Sequence, residues 1–119
     1  DVMRIHSAMG PDALEAGAPG VLRSGVEARS AGGTEYVPSA DVPAALAWWS
    51  QQGWSSPFEA HTVYELIHPF ADGNGRSGRI ILAAMMGFNY ASANGMIAGG
   101  YFGSLNSVGE VYQGEFWKE

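Results

Sequence analysis

Cysteine is absent from the 119 residues. That excludes a disulfide framework and any thiolate metal site. Positive charge is scarce: six Lys and Arg stand against twelve Asp and Glu, for a net charge of −6. Neutralising nucleic-acid phosphates takes clustered cations, so no nucleic-acid partner is expected. No apolar run reaches the roughly 20 residues of a membrane span, and no membrane partner is expected either. Repeats and low-complexity tracts are missing too. What remains is an ordinary globular balance, 46% hydrophobic and 15% charged. The length suits one domain over residues 1–119 with a single modest core. The chain opens at Asp1 rather than Met, so a truncated natural N-terminus is expected, with any targeting segment lost alongside it.

Against that sparse background one stretch is dense in chemistry: His68-Pro69-Phe70-Ala71-Asp72-Gly73-Asn74-Gly75-Arg76-Ser77-Gly78-Arg79. Gly73 and Gly75 can adopt positive φ, and Asn74 tolerates the left-handed region. Successive N–H groups in such a turn form an anion-binding nest. An apolar segment, Ile80 to Met86, follows and reads as a helix. Its N-terminus points orphan N–H donors and the positive end of its dipole at the nest. Arg76 and Arg79 sit three apart and share a face, with planar forks suited to phosphate oxygens. Asp72 supplies a hard oxygen of the kind that holds Mg²⁺ beside bound phosphates. His68 ends the preceding helix, within reach of a substrate hydroxyl whose proton it can take. The stretch reads as a phosphate site facing a general base.

The rest of the chain reads as helices and turns. Val2 to Met9 has helical spacing, stopped by Gly10 and Pro11. Residues 12–20 give a short turn and loop. Val26 to Arg29 and Thr34 to Val37 are β-capable runs about Gly32-Gly33, and suggest a hairpin over residues 23–37. Asp41 is expected to cap a helix to about Gln52, with Pro43 in its first turn and Val42, Leu46 and Trp49 inward. Trp48, Trp49 and Trp54 are expected in the core and at its rim rather than as a stacking cage. Ser56-Pro57-Phe58-Glu59 combines a capping box with Pro at the first helical position. From there a helix runs to His68 with Ala60, Val63, Leu66, Ile67 and Phe70 as its apolar stripe. His61, Tyr64, Glu65 and His68 fall opposite, so His61 is expected at the surface or behind the site. A metal pair of His61 and His68 with Asp72 lacks a third nitrogen ligand and the usual spacing. Arg76 to about Phe88 is expected to be a central helix buried all round, with Met85 and Met86 as core filler. Helix, motif loop and helix together form a core unit over residues 57–88. Leu105 to Phe116 suggests a last helix.

Residues 68–79 match every fixed position of H-P-F-x-[D/E]-G-N-G-R-x-x-R, and so resemble the signature of the Fic family. The resemblance implies a mainly α fold, a Fic-type helical bundle around a central buried helix, with a small β-hairpin flap. It implies that His68 is the catalytic base and that Asp72 holds Mg²⁺. Gly73, Asn74 and Gly75 would form the anion hole, Arg76 would contact the phosphates, and Arg79 would reach the γ-phosphate or an inhibitory Glu. Phe70 would anchor the loop in the core. Gly20-Val21-Leu22-Arg23 and Tyr36-Val37-Pro38 are similar to the usual flanks of the flap. Its docking residues would be Val26, Glu27, Ala28, Thr34, Glu35 and Tyr36, pairing with the backbone of a target protein by β-augmentation.

Most proteins of that family transfer AMP from ATP to a Ser, Thr or Tyr hydroxyl, and the resemblance implies a protein adenylyltransferase using ATP with Mg²⁺. Toxin relatives that phosphorylate their target carry Lys where this chain has Gly75, which favours AMP transfer. The alternatives are a Fic-type enzyme that moves UMP or phosphocholine or removes AMP, an inactive ATP-binding module, and a metal-dependent phosphohydrolase. The inhibitory pattern [S/T]-x-x-x-E-[G/N] does not occur in the 119 residues. Inhibition is therefore expected from a separate antitoxin-like chain, or from a segment cut off at the ends, or the enzyme is unrestrained. The location is expected to be cytoplasmic, or the cytosol of a host reached by a secreted effector.

Overall fold

The computed structural model describes residues 2–27, 36–87 and 116–118. Four helices carry it: α1 Val2–Ala8, α2 Val42–Gln51, α3 Pro57–Ile67 and α4 Asn74–Met85. Short 3-10 turns lie at Pro11–Ala13, Ser39–Asp41 and Phe116–Lys118. No strand occurs among the described residues. The turn of the expected hairpin, with Ala28, Thr34 and Glu35, lies outside them, as does most of the expected last helix over residues 105–116.

The helix ends follow local chemistry. Ser56 is extended (φ −117°, ψ 113°), and its Oγ accepts the Glu59 N–H at 3.2 Å, with Pro57 next in line. That closes half of the expected capping box and satisfies one orphan donor. Asp41 precedes α2 but does not cap it. It is already in the right-handed region (φ −98°, ψ −5°) as the end of a 3-10 turn, so its carboxylate makes no capping bond. Side-chain capping needs an extended residue there. Helix α3 stops at His68, the residue before Pro69. Proline bars its predecessor from the right-handed region, and His68 turns left-handed at φ 51°. It is the only non-glycine with positive φ among the described residues. Helix α4 starts at Asn74, earlier than expected, because Gly73 at φ 82° already forms its N-cap. It ends at Met85, short of Phe88, with Gly87 at φ 71° just beyond.

Packing places α3 at the centre, against α2 on one side and α4 on the other, with α1 against α4. The core joins Val42, Ala45 and Trp49 of α2 to Ala60, Val63, Tyr64 and Ile67 of α3 and Ile81 of α4. Trp49 is buried and donates Nε1–H to the Ala60 carbonyl at 2.8 Å. Trp48 and Trp54 pack against the core from its rim, as expected of them. Two expectations fail. Helix α4 is not buried all round, since Arg76, Arg79, Ile80 and Met85 are exposed. No residue of α3 is exposed, and its supposed polar face is sealed: His61 and Tyr64 are fully buried. The reason is that α4 packs on that face and supplies partners. His61 Nδ1 donates to the Gly78 carbonyl at 2.9 Å, and Tyr64 Oη meets Ser77 Oγ at 2.7 Å.

Candidate active site

The loop between α3 and α4 is fastened from below. Phe70 is fully buried, as the anchor role requires, and its ring stacks on His6 of α1 at 3.6 Å between centroids. Asn74 turns its side chain inward. Its Oδ1 accepts from the Phe70 N–H at 2.8 Å and its Nδ2 donates to the Phe70 carbonyl at 2.7 Å. The Asn74 amide thus closes the loop, and only its backbone is left for a ligand. Ser77 Oγ donates to the Asn74 carbonyl at 3.1 Å and continues the chain of bonds to Tyr64.

His6 completes the floor. Its Nδ1 accepts from the Gly20 N–H at 2.9 Å, so the ring proton sits on Nε2, which donates to the Asp72 carbonyl at 2.8 Å. Sequence pattern showed His6 only as a helical position. Contacts across 66 residues leave no mark on local spacing.

His68 stands at the mouth of the loop. Its backbone N–H bonds the Tyr64 carbonyl at 3.0 Å, and its ring stacks on Tyr36 at 4.1 Å, nearly parallel. Nδ1 is buried and makes no hydrogen bond. Burial pushes the imidazole below its usual pKa, and the nearby Arg23 charge adds to that; a backbone contact with Glu65 works weakly the other way. Arg23 itself is buried, and sequence pattern gave it no role beyond a flank of the flap.

The ligand-facing surface is an open cleft of about 260 Å³ lined by His68, Ala71, Asp72, Gly73, Asn74, Gly75, Arg76 and Arg79. Every motif residue expected to touch ligand is in it. The first backbone bond of α4 runs from Ser77 N–H to Gly73 O at 3.0 Å. The N–H groups of Asn74, Gly75 and Arg76 therefore have no acceptor within the helix, and the dipole adds positive potential there. Arg79 lies over Gly75, with Nη1 3.2 Å from where a Cβ would stand. Arg76 Nη2 is 3.6 Å from Asp72 Oδ2. The result is an anion-attracting wall opposite an imidazole.

Asp72 accepts from the Glu15 N–H at 2.7 Å and the Gly73 N–H at 2.8 Å, one on each carboxylate oxygen. These bonds, first Glu15 and then Gly73, hold its pKa below the ordinary carboxylate range, with Arg76 adding to them. It is ionised at neutral pH, and each oxygen keeps a second lone pair for a cation. One carboxylate fits Mg²⁺, which takes most of its remaining ligands from water and substrate phosphates. Among the described residues no three His, Asp or Glu side chains converge as a protein-only metal site. His61 in particular bonds Gly78 inside the α3–α4 interface and does not line the cleft, so of its two expected places, at the surface or behind the site, the surface one is corrected.

Of the residues assigned to the flap, Val26 is exposed, and Glu27 is tied to Ser39 through its N–H at 2.8 Å and Oγ at 3.0 Å. Tyr36 packs on His68. Two backbone bonds fix these flanks to the site: Val37 N–H to Leu66 O at 3.3 Å and Arg23 N–H to Pro69 O at 2.9 Å.

Comparison with known proteins bears on the same residues. A probable protein adenylyltransferase of Aquifex aeolicus (strain VF5) is 65% identical over 26 residues, covering 22% of this chain and only 8% of that relative. No solved structure matches significantly. The family model for Fic/DOC matches residues 1–86, which takes in helices α1 to α4 and the whole motif loop. With the loop, its floor and its cleft all inside that match, the chain belongs to the Fic/DOC family.

Proposed function

We propose that the chain transfers AMP from ATP to a Ser, Thr or Tyr hydroxyl of a target protein and releases pyrophosphate. The observation that carries this reading is the single cleft shared by His68 and the N-terminus of α4 with Arg76 and Arg79. Its volume is below the roughly 300–1,000 Å³ of pockets that swallow a drug-sized ligand. It suits the phosphate end of a nucleotide rather than the whole of one. Triphosphate oxygens take the free N–H groups of residues 74–76 and the Arg76 and Arg79 forks. Asp72 would hold Mg²⁺, which would offset phosphate charge.

His68 is neutral at neutral pH, since burial and Arg23 both disfavour its charged form. With Nδ1 buried, Nε2 is the nitrogen left to take the hydroxyl proton. The oxygen then attacks the α-phosphorus in line while the bond to pyrophosphate breaks. Little covalent chemistry falls to the protein, and catalysis is positioning plus charge stabilisation. Gly75 leaves the cleft wall without the Lys of the phosphorylating relatives, and the Aquifex relative's name favours AMP. The target docks along the segment between Glu27 and Tyr36, whose Tyr36 end already touches His68.

The test is incubation with ATP labelled at the α-phosphate and a cell lysate, followed by mass spectrometry of labelled proteins. An AMP increment on a hydroxyl side chain is expected, and His68→Ala is expected to lose about 10²- to 10⁴-fold in rate while still binding ATP. Undiminished labelling by His68→Ala, or an increment of phosphate, UMP or phosphocholine instead, ends this reading.

A further inference from the structure

Arg23 is 3% exposed, yet it lies outside the cleft and outside the motif. Burying a guanidinium is costly unless its donors are met. Here they are met by carbonyls from two places. Nε donates to His68 O at 2.6 Å and Nη2 to Ile67 O at 3.1 Å, the orphan acceptors at the C-terminal end of α3. Nη1 donates to Val26 O at 3.0 Å and Nη2 also to Val37 O, which stand on either side of residues 28–35. Its ion pair among the described residues is with exposed Glu27, 3.9 Å away.

We propose that Arg23 is a positioning residue for His68: it fixes the left-handed turn that aims the imidazole and locks the two flanks of the target-docking segment to that turn. The proposal rests on the reading of His68 as the base. A left-handed backbone is unusual for histidine and persists only where the surroundings over-determine it. Arg23 supplies that constraint from outside the cleft, through the His68 carbonyl. It also links docking to chemistry, because the same planar fork spans the flanks and the base. Lys cannot reproduce a planar fork, although it keeps the charge. The charge has its own effect, helping to keep the imidazole neutral. The other groups beside His68 are the Tyr36 ring, the backbone of Glu65 on α3, and Asp72, Arg76 and Arg79 around the cleft.

Two variants of the full chain separate these effects, with His68 followed by NMR of its ring protons and transfer followed by labelled ATP. Arg23→Lys is expected to keep the His68 titration midpoint, lose the ring-current shift from Tyr36, and drop kcat about 10²-fold with KM for ATP unchanged. Arg23→Met is expected to do the same and also to raise the midpoint toward about 6.5. If Arg23→Met does not fold, Arg23→Lys decides alone. A folded Lys variant with wild-type kcat and wild-type ring shifts overturns the proposal. So does a folded Met variant that keeps the wild-type ring shifts and kcat. If the wild type itself transfers nothing, the functional reading fails; the ring shifts still decide whether Arg23 holds His68.

Discussion

At the scale of single residues, Gly73 carries two constraints, of which the sequence showed one. Its φ of 82° forms the N-cap of α4, which the nest reading anticipated. Its missing Cβ has a second cause. A methyl there would stand 3.0 Å from His6 Nε2 and Leu14 Cδ2 and 3.2 Å from Met9 Sδ. Gly73→Ala is thus expected to cost about 1–2 kcal/mol for the left-handed backbone alone, with crowding against His6 in addition. Because His6 bonds the Asp72 carbonyl, displacing it is also expected to move the carboxylate proposed to hold Mg²⁺. Urea unfolding should show the lost stability, and titration with ATP·Mg²⁺ should show weaker binding. A variant destabilised to that degree but with unaltered ATP affinity would sever the link from His6 to Asp72. The motif residues were legible because their chemistry is written in one short window. His6 and Arg23 were not, because their partners lie 66 and 45 residues away in sequence.

At the scale of elements, the α3–α4 crossing is set by Gly78. A Cβ at Gly78 would collide with the Glu65 carboxylate and approach His61 Cε1 to 3.1 Å and Tyr64 Cδ1 to 3.2 Å. The helices are this close because α4 offers no side chain at that point. Gly78→Ala is expected to destabilise by about 1–3 kcal/mol, as overpacking of a filled interface does. Thermal unfolding measures this, and a neutral result would mean that the helices can part without loss. The same crossing explains where helical periodicity misled. It set His61, Tyr64 and Glu65 opposite the apolar stripe because they are polar. Periodicity registers polarity but not partners, and here Gly78 O and Ser77 Oγ wait on the neighbouring helix. The apolar stripe of α3 and the capping Ser56 were legible because they depend on residues three or four apart. The hidden half of α3 depends on α4.

At the scale of the whole molecule, that buried polar face makes global stability depend on pH. Glu65 is the clearest source. Burial pushes its carboxyl up to about 7, against a partial opposing pull from Arg79. Its Oε1 has no hydrogen-bond partner, and His61 Nε2 stands 4.0 Å away. His61 is itself held below its usual pKa by burial, so the two are a pair of neutral groups near pH 6 rather than an ion pair. The sign follows from proton counting. Between the unfolded carboxyl value of 4.5 and the folded value near 7, the native state binds the extra proton. Stability contributed by Glu65 is thus complete below about 4.5, falls as pH rises through that window, and is fully lost above 7. Other groups run the opposite way: Asp72 has a lowered pKa and favours the native state only above the acid range. Comparing the wild type with Glu65→Gln at each pH cancels those contributions. The variant is expected to be more stable by on the order of 1–3 kcal/mol at pH 8, with the gain vanishing near pH 4. Denaturant unfolding across that range is the measurement. A gain of equal size at both ends would assign it to packing, and no gain at pH 8 would mean that the carboxylate finds water or Arg79 once charged.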